Sequence, residues 1–219
     1  MDIQIRLEQP ADYSETEQVT REAFWNHYSP GCTEHYLLHV MRNSPNFVPE
    51  LDFVAVANKK IIGSVVFMKS FILGDDGKRY DVLTLGPIAV LPVFQRKGIG
   101  RKLIEHACTT AKNAGHRAVL LRGGAPRYYE KVGFTAAERF NIRSSENKYL
   151  AALHAYPLYT DALKNAAGRY FEDEIYNVDE TEVMTFDAHF PPKERLTGTS
   201  SQQRFQEVLS MQKDYSPQI

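Results

Sequence analysis

Apolar and polar residues alternate over residues 3–7 (IQIRL), the two-residue period of a strand, and Pro10 with Asp12 then breaks the run. The period lengthens next. Ser14 and Glu17 have the capping-box spacing, and Val19, Ala23 and Phe24 follow at helical intervals to about Trp25. Ser29-Pro30-Gly31 is a loop, and Thr33 can cap a second short helix carrying Tyr36, Leu37, Val40 and Met41 on one face. β-branched and aromatic runs over 51–57 and 61–72, joined at Asn58-Lys59-Lys60, predict a hairpin, and Asp75-Asp76-Gly77-Lys78 turns the chain into a third strand, 80–90. Residues 98–115 return to the helical period, with Ile99, Leu103, Ile104, Ala107 and Ala111 in one stripe and Gly115 as a left-handed stop. The apolar run 116–123 is then a strand, which a helix of this length returns parallel to the preceding one. A short helix over 125–132 stops at Gly133-Phe134.

Beyond this point residues 149–158 predict one more strand, and residues 179–189 a helix with Val183, Phe186 and Phe190 on one side. From Pro191 onward the chain is richer in Ser, Gln, Thr and Lys, which predicts weaker order apart from a helix near 202–212. The elements add up to an α/β fold (α+β mixed), a mixed, mostly antiparallel central sheet with helices on both faces. It spans a domain over 1–160, followed by an extension over 161–219 that packs on or beside it.

The chain has 219 residues, 43% hydrophobic and 24% charged, as expected of a packed globular protein. Lys+Arg 26 against Asp+Glu 27 gives a formal charge of -1, with none of the basic excess that would announce a surface for nucleic acid or an anionic membrane. Any anion must therefore be held by a local site. Two cysteines, Cys32 and Cys108, fit neither a disulfide framework nor a zinc spacing, and the start MDIQIRLEQP resembles neither a signal peptide nor an anchor, so a cytoplasmic location is expected.

That local site is predicted between residues 85 and 101. A strand leads through a short loop into a helix whose start holds Gly98 and Gly100. Free N–H groups at a helix N-terminus, with the positive end of its dipole, bind anions, and glycine lets a phosphate approach the backbone. Arg96, Lys97 and Arg101 add positive charge suited to a diphosphate. Gly-x-Gly alone is also a common strand-to-helix turn. No Gly-Lys-Ser/Thr ending marks a nucleotide P-loop, and the hairpins before the strand exclude the βαβ start of a dinucleotide fold. Gly86-Pro87 within the apolar strand predicts a bulge or a splayed edge, because proline removes a ladder donor.

Gln95-x-x-Gly98-x-Gly100 after IAVLP, followed one strand later by RYYEKVGF at 127–134, resembles the GNAT superfamily of N-acetyltransferases over about residues 3–140. The details resemble a bacterial subgroup of predicted N-acetyltransferases. The resemblance implies an acetyl-CoA-dependent acyltransferase that moves an acetyl group to a primary amine by direct attack in a ternary complex. It also implies that the strand at Ile88, Ala89 and Val90 pairs with the pantetheine arm and that the amides of Gln95, Arg96, Lys97, Gly98, Ile99 and Gly100 hold the pyrophosphate, with Arg101 beside them. An amide near Ile88 would polarise the thioester carbonyl. Tyr129, four residues before Gly133, matches the family's general acid. Its chemistry stands independently, since amine attack on a thioester expels a thiolate that a phenol within reach can protonate.

The chain departs from many relatives where they place a glutamate on the fourth strand, since it has Thr84, Leu85, Gly86 and Pro87 there. Asp81, Glu34 or a water chain could act as base. A non-catalytic acyl-CoA binding or sensing protein is the alternative that the missing glutamate favours, and a transferase of longer acyl groups is a third. His35 and His39 have a metal-gripping spacing without a third ligand, so no metal is expected. Trp25, Tyr28, Cys32 and Tyr36 either shape an acceptor pocket or staple two helices, and Cys32 as an acyl-accepting nucleophile is an unneeded covalent route. The expected partner is a small-molecule or protein amine, not nucleic acid or membrane. The extension either covers the acceptor pocket or pairs with a second copy in a homodimer.

Overall fold

The computed structural model describes residues 2–123 and 125–216. Strand β1 (Gln4–Leu7) is followed by helices α1 (Tyr13–Phe24) and α2 (Glu34–Met41), and then by the meander β2 (Phe53–Ala57), β3 (Lys60–Gly74) and β4 (Arg79–Val90). Helix α3 (Ile99–Asn113) crosses to β5 (Ala118–Arg122), and α4 (Pro126–Lys131) follows. The two-residue strands β6 (Thr135–Ala136) and β7 (Ile142–Arg143) precede β8 (Lys148–Leu150), β9 (Leu153–Pro157) and β10 (Gly168–Phe171). Helices α5 (Glu180–Asp187) and α6 (Ser200–Ser210) and strand β11 (Gln212–Asp214) complete the described chain.

The main sheet runs β1-β2-β3-β4-β5-β9-β6, with β10 paired to the far end of β3. Every neighbouring pair along this path is antiparallel except β4 and β5, which the α3 crossover makes parallel. Side chains alternate across the sheet. Ala55, Ile62, Val65 and Phe67 pack under the α3 stripe of Ile99, Leu103, Ile104 and Ala107, whereas Val54, Ile61 and Ala89 face Val19 of α1. Helices thus cover both faces, as the periodicity predicts.

Two differences from the sequence reading follow from strand pairing. The run 149–158 is two strands, because the chain turns at Ala151-Ala152 so that β8 pairs with β11 while β9 pairs with β5. Strand β10 has no alternating pattern of its own and is held by its partners, with Gly168 lying so close to the Leu73 carbonyl that a Cβ would not fit.

Within residues 161–216, β10 joins the main sheet and β11 pairs with β8, while α5 and the stretch after it return to α1; residues 217–219 lie outside the described residues. Asp187 of α5 pairs with Arg21 of α1 at 2.6 Å. The irregular stretch after α5 is tied by its backbone, since the Glu194 carbonyl accepts from both Trp25 Nε1 and Asn26 Nδ2 at 2.9 Å. No described helix is long and apolar enough to cross a membrane.

Candidate active site

The sheet opens at one point. Strands β4 and β5 are in register only at Leu83↔Val119 and Thr84↔Leu120; beyond them β4 stays with β3 while β5 stays with β9 as far as Arg122↔Leu153. The divergence begins where the sequence places Gly86-Pro87. The β3–β4 register shifts there between Val65 and Phe67, the Gly86–Pro87 peptide is cis, and Gly86 has φ +127°, a backbone conformation that side chains resist. The β5-facing backbone of residues 85–90 is left without a strand partner.

A cleft of about 380 Å³ occupies this opening. Ile88 and Val90 form its β4 wall, Gln95, Arg96, Gly98, Ile99, Gly100 and Arg101 its floor, and Tyr128 and Tyr129 of α4 its opposite side. Gly98 is the N-cap of α3 at φ +81° and supplies no side-chain cap, so the first amides of the helix have no intrahelical acceptor. Arg96, at φ +60°, adopts a left-handed conformation that turns the loop toward the helix start. Tyr128 leans over this cradle, its hydroxyl 2.6 Å from where a Cβ on Gly100 would lie.

Two of the ten expected contact residues do not line the cleft. Ala89 points to the other face of the sheet, as strand alternation requires, and can contribute only backbone. Lys97 is turned away, with Nζ donating to the Val93 carbonyl at 2.9 Å. Arg101 does line the cleft, although its Nε is held by Glu105 at 2.6 Å, and Gln95 braces the loop by donating to the Val90 carbonyl at 2.9 Å.

A second cavity, of about 190 Å³, lies on the other side of Tyr129 and is bounded by Phe24, Tyr28, Glu34, Pro87, Tyr176 and Phe205 among others. Phe24, Tyr28, Ile88 and Tyr129 line both cavities, so the two meet at the phenol. Tyr129 is 8% exposed, and its ring rests on Gly123, where a Cβ would come within 2.6 Å of Cε2. Burial pushes its hydroxyl well above the ordinary phenol range, so it stays protonated as a donor. Among the described residues no cation beside it offsets this, and transfer of its proton is more uphill than a free phenol would make it.

Glu34 and Asp81, equal as candidate bases in the sequence, separate here. Asp81 is exposed and pairs with Arg79 at 2.8 Å, bordering neither cavity. Glu34 lines the second cavity, and its carboxyl accepts from the Thr33 amide at 3.0 Å and is raised by burial to about 7.

A sequence model of the Acetyltransferase (GNAT) family matches residues 16–134, more than half of the chain. The chain belongs to the GNAT acetyltransferase family. Among curated proteins it is similar to N-alpha-acetyltransferase 30 of Schizosaccharomyces pombe, 27% identical over 112 residues that cover 49% of this chain and 72% of the relative. Among solved structures it is similar to the GNAT family N-acetyltransferase YhbS of Escherichia coli in complex with CoA. That likeness has a TM-score of 0.70 and 24% identity, and covers 80% of this chain and 92% of the other. A GNAT family acetyltransferase of Brucella melitensis in complex with acetyl-CoA has a TM-score of 0.63 and 25% identity, covering 80% and 98%.

The other residues singled out in the acetyltransferase's sequence have structural surroundings. Cys32 is buried with its thiol held protonated by burial, Sγ lying 3.3 Å from His35 Nδ1. His35 faces Asp187 at 3.1 Å and His39 faces Glu17 at 3.0 Å, and no metal-holding cluster occurs among the described residues. Of the four aromatic-loop candidates only Tyr28 reaches a cavity at the phenol; Trp25 packs over Arg21 and Tyr36 donates to Glu182 at 2.7 Å. Sequence reasoning missed Phe24, Tyr176 and Phe205. Phe24 had a signal, the end of the α1 apolar stripe, whereas Tyr176 follows no periodic run.

Proposed function

We propose that this GNAT acetyltransferase moves the acetyl group of acetyl-CoA to a primary amine by direct attack within a ternary complex. The meeting of the two cavities at Tyr129 carries this reading, since a donor in one and an acceptor in the other would share the phenol between them.

The residues present fit acetyl-CoA. The uncapped amides of Gly98, Ile99 and Gly100, with those of Arg96 and Lys97, would hold the pyrophosphate, and Arg96 and Arg101 supply charge at the rim, whereas the Gln95 amide, expected from the sequence to join them, is taken by the Pro92 carbonyl at 3.2 Å. The backbone at Ile88, Ala89 and Val90, paired with β3 on one side and without a strand on the β5 side, would pair with the pantetheine arm once Gln95 releases the Val90 carbonyl, and an amide near Ile88 would donate to the developing oxyanion. When bound, acetyl-CoA supplies the activated acyl group.

Proton movements fall to two side chains. An alkylamine with a pKa of about 10.4 is neutral in roughly one molecule of a few thousand at pH 7, so a base raises the reactive fraction. Glu34, raised to about 7, takes that proton, and the burial that lifts the carboxyl also lowers a neighbouring ammonium, which narrows the gap between them. Tyr129 donates its hydroxyl proton toward the departing sulfur. Glu34 lining the second cavity supports the transfer reading over a purely sensing protein, which the absent glutamate at Thr84 favours.

Calorimetry with acetyl-CoA, then amine-dependent release of CoA thiol, tests the proposal. Micromolar binding with amine-dependent release is expected, and failure of the wild type to bind acetyl-CoA would overturn it.

A further inference from the structure

Part of the second cavity is built by residues that the family match does not reach. Phe205 comes from α6, and Tyr176 from the turn before α5. Helix α6 starts at a reciprocal cap, in which Gln202 N donates to Thr199 Oγ1 at 3.3 Å and Thr199 N to Gln202 Oε1 at 3.2 Å. It is hooked to the α1–α2 loop where Thr199 Oγ1 and Gln202 Nε2 both donate to the Asn26 carbonyl at 3.3 Å. These contacts set Phe205 against Tyr28, with ring centroids 4.4 Å apart and planes inclined at 33°.

The resulting walls are aromatic and aliphatic: Phe24, Tyr28, Leu37, Pro87, Tyr176 and Phe205. Among the described residues charge enters only at Glu34 and at Arg122, and Arg122 is already matched by Glu172 at 3.2 Å. The phenol of Tyr176 is also engaged, donating to the Gly86 carbonyl at 3.1 Å. An apolar cavity of roughly 150 Å³ accommodates benzene, so about 190 Å³ accommodates one ring and a short arm. Resting on the acetyl-transfer reading, we infer that the acceptor is a compact arylalkylamine, one aromatic ring on a short primary-amine arm, and that Phe205 and Tyr28, in contact with each other, select it by forming one aromatic wall against the ring. The amine then sits at the Glu34 and Tyr129 end. A polyamine would bury a second ammonium against Leu37 or Phe205, and a peptide N-terminus would bury amides there without partners; both are costly.

The test uses full-length protein, saturating acetyl-CoA, and three probes: 2-phenylethylamine, spermidine and a tetrapeptide with a free N-terminus. The expected result is a kcat/KM for phenylethylamine at least about tenfold above the others. Phe205→Ala raises the phenylethylamine KM by about tenfold, leaves acetyl-CoA affinity unchanged, and improves a two-ring amine such as tryptamine relative to phenylethylamine. Phe205→Leu, which keeps the packing of α6, shows a smaller change in the same direction. Preference for spermidine or the peptide overturns the inference while leaving acetyl transfer standing. Equal losses for every amine in both variants overturn the role of Phe205. Intact acetyl-CoA binding with no turnover of any amine overturns the transfer reading itself.

Discussion

The Tyr176 hydroxyl donates to the Gly86 carbonyl across 3.1 Å. Tyr176 lies outside the stretch that matches the family, and Gly86 sits where β4 bulges away from β3's regular register, so the last third of the chain pins the strand at the point where the sheet opens. Both cavities depend on that opening, the larger through Ile88 and the smaller through Gly86 and Pro87.

Tyr176→Phe is therefore expected to cost about 1 to 2 kcal/mol, the effect of leaving a part-buried carbonyl without its donor. Chemical denaturation reads the loss. Amine kcat/KM should fall more than acetyl-CoA affinity, because the phenol lines only the smaller cavity. Equal losses in both would mean that the contact acts on the whole fold rather than on the bulge.

Glu34 gives the pH dependence a sign. The carboxyl must be ionised to accept a proton, so activity is present above about 7 and is lost as pH falls through that value. With an amine that itself titrates well above this window, kcat/KM is expected to show an acid limb near 7. Glu34→Gln should lower kcat/KM by about 10² to 10³-fold, abolish that limb and leave acetyl-CoA binding intact. A limb that survives in the variant would assign the base elsewhere.

Tyr129→Phe and the Gly98→Glu, Gly100→Glu double variant should separate chemistry from binding. Removing the phenol is expected to lower turnover by about 10²-fold while the dissociation constant for acetyl-CoA holds. The glutamates should abolish acetyl-CoA binding, since one places a side chain at φ +81° beside the uncapped amides and the other drives its Cβ toward the Tyr128 hydroxyl. Calorimetry on both variants distinguishes the two effects.

Much of this site is legible in the sequence where the signal is local. The α3 stripe, the Gly98-x-Gly100 start and the break at Gly86-Pro87 each act over a few residues, and the structure puts the helix, the uncapped turn and the bulge at those positions. What depends on distant partners is not legible. Strand β10 exists because Gly168–Phe171 finds the end of β3, about a hundred residues earlier in the chain. Glu34 and Asp81 are equivalent carboxylates until folding half-buries one at the second cavity and leaves the other exposed beside Arg79. Lys97 joins the basic cluster in sequence, yet its long side chain finds the Val93 carbonyl instead. The roof supplied by Phe205 requires the tail to return to Tyr28, which no periodicity encodes.

Acid stability offers a check on the other side of α1. His35 is fully buried beside Cys32, Asp187 and Arg21, with Arg195 also near, and burial lowers it to about 4 although Asp187 pulls the other way. The folded protein thus keeps His35 neutral down to about 4, whereas the unfolded chain protonates it near an ordinary 6.5. Between those values the unfolded state binds the extra proton, so stability is full above about 6.5 and declines as pH falls toward 4, by on the order of 3 kcal/mol. Asp187, held below its usual range by Arg21, extends the loss further into acid. Urea midpoints measured from pH 7 to pH 4 should show this decline, and His35→Gln should flatten it whatever the variant's stability at pH 7. An unchanged slope in that variant would place the acid-sensitive group elsewhere.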